Sequence, residues 1–340
     1  MIDPIDISVV MPVFNAEETL DEAIQSICNQ SCDNFEFIIV DDGSNDSSRQ
    51  ILKRWAQKDT RITPIYDNHH GIVSALNTGI EQANGTYLAR MDADDISLPT
   101  RLEKQANYLN DHPDIGLVSC LVKHLGNQKK QEGYARYVDW INGVTSIKDI
   151  RRNRFIESPI AHPSVCFRRS LIKKYGGYRD GIFPEDYELW LRWLDQGMQM
   201  FKLPEVLLEW RDQDDRLSRN HSRYSPTAFY KIKAKYLARW LQQENPYHPY
   251  IVIWGAGRTS RKRAELLTQY GIHITNYIDV DPKKIGQNIH GRPVWGPNDI
   301  PEDGARFIVS YVGNRGVNQK IFAYLNKQGY DFGRHFIFAA

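Results

Sequence analysis

Phe35-Glu36-Phe37-Ile38-Ile39-Val40-Asp41-Asp42-Gly43-Ser44 is an apolar run that stops on two acids, a glycine and a serine. It reads as a buried strand feeding a loop. The same pattern stands on either side of it. Ile7 to Pro12 is an apolar, β-branched run, followed by helical spacing through Leu20, Ala23, Ile24 and Ile27. Ser47 to Lys58 reads as a helix, Ile62 to Tyr66 as a third strand, and Ile72 to Asn84 as a helix ending near Gly85. Tyr87 to Met91 is a fourth strand, and it runs into Asp92-Ala93-Asp94-Asp95. Strands alternating with helices form a parallel sheet joined by crossovers. In such sheets ligands bind outside the carboxyl ends of the strands. Asn15, Asp41, Asp42, Asp92 and Asp94 are therefore expected on one edge.

Further along, Arg101 to Asn110 reads as a helix and residues 114–125 as a strand. The stretch 126–160 is polar and irregular, with a helix around 146–153. Tyr187 to Gln196 is helical, with Pro184-Glu185-Asp186 at its start, and Tyr224 to Gln243 is a long helical pattern rich in Lys and Arg. Lys231, Lys233, Lys235 and Arg239 read as one solvated face of it. Asn245-Pro246-Tyr247-His248-Pro249 then breaks the chain. This divides it into a first domain over 1–222, a helical linker over 223–245 and a second domain over 246–340.

The second domain restarts the α/β pattern. Tyr250 to Trp254 is a strand, Gly255-Ala256-Gly257 a turn, Ser260 to Tyr270 a helix, and His273 to Ile278 a strand ending at Asp279. A further strand and helix follow at Phe307 to Tyr311 and Val317 to Gln328. This is the outline of a dinucleotide-binding fingerprint in a small Rossmann-like domain, with Ser260 where the third glycine would stand. A nicotinamide cofactor, a nucleotide or sugar phosphate, and a role in assembly or acceptor positioning all stay open for it.

A chain of 340 residues suits two domains. Its 41% hydrophobic and 25% charged residues are those of a globular protein, and a formal net charge of +1 gives no bulk attraction to nucleic acid. No run approaches the roughly 18–20 apolar residues of a membrane span. Met1 to Ser8 lacks the basic and apolar regions of a signal peptide, so a cytoplasmic location is expected. Cys28, Cys32, Cys120 and Cys166 show no CxxC spacing, which argues against zinc and for reduced thiols.

Three segments carry chemistry. Asp92 and Asp94, two residues apart at a strand end, can converge on one hard cation such as Mn²⁺ or Mg²⁺. The plainer reading is a solvated acidic turn. Asp41 and Asp42 can accept hydrogen bonds from a base or a ribose hydroxyl, or simply form a turn into a helix cap. Glu185 and Asp186 stand at a helix start, where an ionised carboxylate is favoured. There they can serve as a general base for a hydroxyl, or only cap the helix.

Taken together these segments resemble the family 2 glycosyltransferases, which have the GT-A fold, from about Ile7 to Ser218. Val9-Val10-Met11-Pro12-Val13-Phe14-Asn15 looks like the family's first strand and nucleotide-facing loop. Asp41-Asp42-Gly43-Ser44 is similar to its second motif. Gly71, Asn77 and Gly79 match its helix beside the diphosphate, and Arg90-Met91-Asp92-Ala93-Asp94-Asp95 its metal motif. His162-Pro163-Ser164, Gly176-Gly177-Tyr178 and Glu185-Asp186-Tyr187-Glu188-Leu189-Trp190 match its acceptor half. The resemblance implies an inverting transferase that moves a sugar from a nucleotide-sugar to a hydroxyl. Pro12, Phe14, Asn15, Glu17, Asp41, Asp42, Asn77 and Asp92 would line the donor. Asp94, with Asp92, would bind the metal, Asp186 would be the base, and Glu185, His162 and Trp190 would lie on the acceptor side.

One departure stands out. The family's metal-supporting histidine is replaced by Gln213 in Trp210-Arg211-Asp212-Gln213-Asp214-Asp215-Arg216-Leu217-Ser218. Either Arg211, Arg216 and Ser218 hold the diphosphate or His221 substitutes from further along; the arginines are preferred, since a guanidinium matches phosphate oxygens. The favoured donor is a UDP-sugar, because the Asp41 region resembles uridine-binding members. The acceptor is a saccharide or a lipid-linked sugar in cell-surface polysaccharide or glycolipid synthesis. Peripheral association with the inner membrane face and a homodimer are open. Competing readings are a non-catalytic nucleotide-sugar sensor or scaffold, a sugar-phosphate nucleotidylyltransferase, and an oxidoreductase. Retention of Asp92, Asp94 and Asp186 argues against the first. The lack of a glycine-rich basic loop after the first strand argues against the second, and the incomplete fingerprint against the third.

Overall fold

The computed structural model describes residues 6–126, 132–212, 221–302, 304–313 and 316–340. Two compact units divide the chain. The larger comprises Met1–Ile150, Pro159–Gly181 and Glu185–His221; the smaller comprises Arg151–Ser158, Ile182–Pro184 and Ser222–Ala340.

The larger unit begins β1 (Ile7–Val13), α1 (Leu20–Cys28), β2 (Phe35–Asp42), α2 (Ser48–Lys58), β3 (Ile62–Asp67), α3 (Ile72–Gln82) and β4 (Tyr87–Arg90). β5 (Ile96–Ser97), α4 (Arg101–Asp111), β6 (Ile115–Leu125), α5 (Glu132–Asn142) and α6 (Ile147–Asn153) follow. β7 (Cys166–Arg168), α7 (Ser170–Tyr175), α8 (Glu185–Asp195) and β8 (Gln199–Arg211) complete it. The eight strands form one sheet in the order β3-β2-β1-β4-β7-β6-β8-β5. β3, β2, β1 and β4 are parallel, as the alternation predicts, and β7 enters antiparallel to both neighbours.

Strand side chains alternate between faces. Val9, Met11, Phe37 and Ile39 therefore join the core beneath α1, α2, α4 and α5, while Val10, Ile38 and Val40 join the opposite core with α3 and α8. Both faces are covered, which is why these strands read as unbroken apolar runs. Helix α3 lies close on the sheet because Gly79 has no side chain. A Cβ there would stand 2.5 Å from Val10 Cγ1.

The sequence reading missed α5. Its Val138 and Ile141 are buried and Tyr134, Tyr137 and Trp140 pack beside them, but charged residues interrupt the apolar spacing in the sequence. It also missed the long β8, whose pairing with β6 carries register shifts.

The smaller unit contains α9 (Pro226–Glu244), β9 (Tyr250–Trp254), α10 (Arg258–Ala264), β10 (His273–Ile278), β11 (Asn288–Ile289), β12 (Arg292–Trp295), β13 (Ile308–Ser310), α11 (Val317–Lys327) and β14 (Phe336–Phe338). Its sheet runs β11-β12-β10-β9-β13-β14, parallel except for β11. Helix α9, read as a linker, belongs to this unit. It buries Ile232, Ala234, Leu237, Ala238 and Leu241. The solvated face read along it holds for Lys231 and Arg239, both exposed, with Lys235 half-buried. Lys233 lies about half a turn away from that four-residue spacing and is fully buried. Among the described residues no helix is long and apolar enough to cross a membrane.

Gly79→Ala is expected to destabilise the larger unit by about 1–3 kcal/mol through overpacking against Val10. Thermal melts of Gly79→Ala and of Gly79→Ala/Val10→Ala check this. The second change should recover part of the loss.

Candidate active site

The loops after β1 and β2 are stitched to each other. Asn15 N donates to Ser44 Oγ (3.0 Å) and Asn45 N to Asn15 Oδ1 (2.8 Å). Glu17 N donates to Asp46 Oδ2 (3.0 Å), and Ser47 N returns a bond to Glu17 Oε2 (2.9 Å). Asn15 sits in the left-handed region at φ 49°, which an Asn tolerates. The side chains of Asn15 and Glu17 are thus engaged in holding the rim. Pro12 is half-buried behind it, and Phe14 stands exposed with its ring stacked on His69 at 4.2 Å.

Asp41 and Asp42 both turn inward. Asp41 is fully buried; Arg49 Nε donates to its Oδ2 (2.6 Å) and Ser44 N to its Oδ1 (3.4 Å). Asp42 accepts from His70 N (2.8 Å) and Gly71 N (2.9 Å), and so fixes the entry to α3. The carboxylate expected to meet a base is therefore covered by a partner that the sequence did not single out. Arg49 is partly exposed and lies 5.9 Å from the Tyr66 ring. Phe14, His69, Tyr66 and Arg49 give this edge flat groups suited to a planar ring. The available sequence signal was that Phe14, Tyr66 and His69 lie at or just beyond a strand end; Arg49, in the first turn of α2, carried none.

The acidic turn after β4 is held by three residues. Thr19 Oγ1 donates to Ala93 O (2.9 Å), Arg211 Nε to Asp94 O (2.7 Å) and Arg211 N to Asp95 Oδ1 (2.8 Å). Arg90 pairs with Asp92 Oδ1. One carboxylate oxygen each from Asp92, Asp94 and Asp95 lies within 4.8 Å of the others. An all-oxygen, carboxylate set fits a hard divalent ion such as Mg²⁺ or Mn²⁺. Asp95 joins a pair that the sequence reading stopped at. Arg211, expected at a diphosphate, is committed to this turn and to Glu22 Oε2 (2.5 Å). Arg216, Gln213 and Ser218 lie outside the described residues.

Arg90 is the other residue the sequence quoted without using. It is buried to 3% exposure. Burial works against its charge, but the Asp92 carboxylate outweighs that and raises its pKa.

On the other half, Glu185 and Asp186 open α8. Glu185 is buried and Asp186 half-buried, with Asp186 Oδ1 accepting from Tyr187 N (2.7 Å). Burial, and next the Glu185 charge, push the Asp186 carboxyl up to about 7. His162 Nε2 lies 2.6 Å from Tyr178 Oη. Burial and then Arg90 hold its pKa well below the usual range, so it is neutral. Asn77, expected beside the diphosphate, instead brackets Tyr178: its Nδ2 donates to Tyr178 O (3.0 Å) and its Oδ1 accepts from Tyr178 N (3.1 Å). Trp190, expected to face an acceptor, is fully buried against His162 and Trp193. On a helix with acids at its first turn, its apolar ring belongs to the core side.

In the smaller unit Asp279 is used internally. Its Oδ2 accepts from Ala256 N and Lys284 Nζ (both 3.0 Å), and its Oδ1 from Asp281 N (3.0 Å). Ser260 Oγ donates to Tyr311 O (2.8 Å), and its side chain fills the space beside Gly255. The acid that would receive a ribose is occupied by the loop that would receive the phosphates. These residues do not fit a dinucleotide.

Residues 8–176 match the family described as Glycosyl transferase family 2. The amylovoran biosynthesis glycosyltransferase AmsE of Erwinia amylovora is 31% identical over 215 residues, which cover 62% of this chain and 78% of that protein. The O-antigen biosynthesis glycosyltransferase WbnJ of Escherichia coli is 33% identical over 234 residues, covering 67% and 87%.

The chain belongs to glycosyltransferase family 2.

The structure of S. aureus TarS 1–349 in complex with UDP-GlcNAc superposes with a TM-score of 0.56 at 18% identity, over 78% of this chain and 71% of that one. This likeness supports the GT-A fold of the transferase unit. Residues 248–330 match a second family, described as CoA binding domain. This glycosyltransferase thus carries a second α/β unit whose Asp279 is already engaged.

NAD⁺ titrated into the full-length glycosyltransferase should give no saturable signal up to about 1 mM, a binding free energy of about −4 kcal/mol. Asp279→Ala should instead lower the melting temperature, because it strips partners from Ala256 N, Asp281 N and Lys284. Calorimetric titration and a thermal melt check both.

Proposed function

We propose that this glycosyltransferase moves a sugar from a UDP-sugar to a hydroxyl with inversion, using a divalent cation at Asp92, Asp94 and Asp95 and Asp186 as base. The observation that carries the reading is a division of labour among carboxyls. Three converge at the end of β4, while Asp186 opens α8 with its pKa raised to about 7. A base is most effective when its pKa lies near the working pH.

A bound divalent cation would neutralise charge on the departing diphosphate. The chain's own groups do the rest. Phe14, His69, Tyr66 and Arg49 offer surfaces for the base of the nucleotide. Asp186 takes the proton of the acceptor hydroxyl as its oxygen bonds to the anomeric carbon. The bond from that carbon to the phosphate oxygen breaks, and its electron pair leaves with the nucleoside diphosphate. Inversion follows from one displacement, and no enzyme nucleophile is needed.

AmsE and WbnJ carry names from amylovoran and O-antigen biosynthesis, which supports a cell-surface glycan as product. Peripheral attachment to an anionic membrane face, where a lipid-linked acceptor would lie, is supported by charge. Residues 222–340 hold seventeen Lys and Arg against eight Asp and Glu. Exposed Lys231 and Arg239 lie along one face of α9.

A panel of UDP-, GDP- and dTDP-sugars with Mn²⁺ or Mg²⁺ tests the donor. Metal-dependent release of UDP, lost in Asp94→Ala, is expected; release of GDP or dTDP alone would overturn the UDP assignment. Asp186→Asn should lower kcat by about 10²-fold or more. The wild-type rate should fall as pH drops through about 7, because the protonated carboxyl cannot accept a proton. Stability has the opposite sign. A raised carboxyl favours the folded state at low pH and loses that contribution as pH rises through about 7. Asp186→Asn should therefore melt higher than wild type at pH 8.5, by a margin that narrows as pH falls below about 7 toward the ordinary carboxylate range. A flat pH–rate profile together with an unchanged kcat in Asp186→Asn would remove Asp186 from the mechanism.

A further inference from the structure

Two short segments from the middle of the chain leave the transferase unit and cluster with the C-terminal unit: Arg151–Ser158 and Ile182–Pro184. Each runs directly into the acceptor half. The first continues through Pro159 to His162, and the second into Glu185 and Asp186.

The grip on the first segment is specific. Lys233 of α9 is fully buried; its Nζ donates to Ile156 O and to Ala339 O, both at 2.9 Å, and lies 4.0 Å from the Tyr230 ring. Phe155 packs on Trp240 with ring centroids 6.1 Å apart, and the Arg154 guanidinium covers Phe155 at 4.7 Å. Ile156 packs against the core that contains Val252, Ile308 and Phe336. Three residues later, Pro159 O accepts from Lys202 Nζ at 2.9 Å, and Lys202 is equally buried within the transferase unit. The stretch from Ile156 to Pro159 is thus fastened at both ends by buried lysines. Such a donor is costly to desolvate and is retained only where its hydrogen bonds are satisfied. Neither lysine takes part in the chemistry derived above.

We propose that the C-terminal unit is a positioning element for the acceptor side of the transferase, with Lys233 as its principal positioning residue. By fixing residues 151–158 it sets where the chain enters the His162 turn; residues 182–184, which cluster with the same unit, run directly into the Asp186 helix. The unit acts on acceptor geometry through chain continuity and leaves the donor edge, formed by β1, β2 and β4, untouched. The inference rests on the assignment of Asp186 to the acceptor half.

The test uses the full-length chain with Lys233→Met and, because that change removes a buried hydrogen-bond donor, Phe155→Ala as a second variant. Amide hydrogen exchange over residues 159–165 and 185–190 should accelerate about tenfold or more in both. Exchange over 37–41 and 88–91, and the affinity for UDP with Mn²⁺, should stay within about twofold of wild type. Hydrolysis of the sugar nucleotide identified by the donor panel should show a reduced kcat with an unchanged KM, and Lys233→Arg should recover part of it. Unchanged exchange over 159–165 and 185–190 in both variants would overturn the proposal. So would uniform acceleration with loss of UDP binding, which marks general unfolding. An active Asp186→Asn would refute the base assignment while leaving the exchange result standing, so the two failures are separable.

Discussion

The acidic edge of the transferase depends on one ion pair whose arginine is buried. Arg90, with 3% of its surface exposed, closes on Asp92 at the point where β4 ends and the acidic turn begins. Three carboxylates drawn within 4.8 Å of each other repel, and a neighbouring fixed cation offsets part of that cost. A buried guanidinium without a carboxylate partner would itself be strongly destabilising. Each therefore accounts for the other. Arg101 lies behind them, fully buried, and donates to Arg90 O (3.1 Å) and Pro163 O (2.6 Å). That ties the end of β4 to the turn that carries His162, so the two halves of the site share one buried cationic support.

Around this support many polar side chains face the protein. Asp42 fixes the entry to α3, Asn77 brackets Tyr178, and Arg192 donates to Gly176 O and Gly177 O while pairing with buried Glu188. Asp42, Asn77, Gly176, Gly177 and Glu188 all sit in motifs that resemble ligand contacts. Apart from the Arg192–Glu188 pair, the partners named are backbone atoms of neighbouring loops. A site made of loops at strand ends has many backbone groups with no ladder partner, and these must be satisfied from side chains. Much of what looks like recognition in a loop motif is this internal hydrogen bonding, which preorganises the few groups left facing out.

Fold and chemistry were legible to different depths. The parallel half of the large sheet followed from runs such as Phe35 to Val40, because strands buried on both faces must be apolar throughout. The antiparallel part was less legible. α5 mixes its buried residues with charges, and β8 is long and irregularly paired, so neither has a clean period. Asp92, Asp94 and Asp186 were singled out by their places at a strand end and a helix start, but turns and helix caps put carboxyls there too, so their roles came only with the resemblance to the family. Arg49 and Arg90 were not found, because a cation's importance depends on which carboxylate it meets and how deeply. Lys233 was placed on the wrong face, because a run of cations along a helix gives no sign of which one turns inward.

The amino-acid sequence by itself determined the layered α/β architecture, the order of its motifs and the edge on which the acids gather. Those properties depend on local periodicity and on the fixed polarity of a parallel strand. Only the tertiary structure decided which side chains face a substrate and which face the protein. It also showed that 151–158 and 182–184 leave the transferase to join the C-terminal unit. Burial and partnership are set by contacts between residues far apart in the chain, such as Lys233 with Ile156 and Arg101 with Pro163, and no local pattern encodes them.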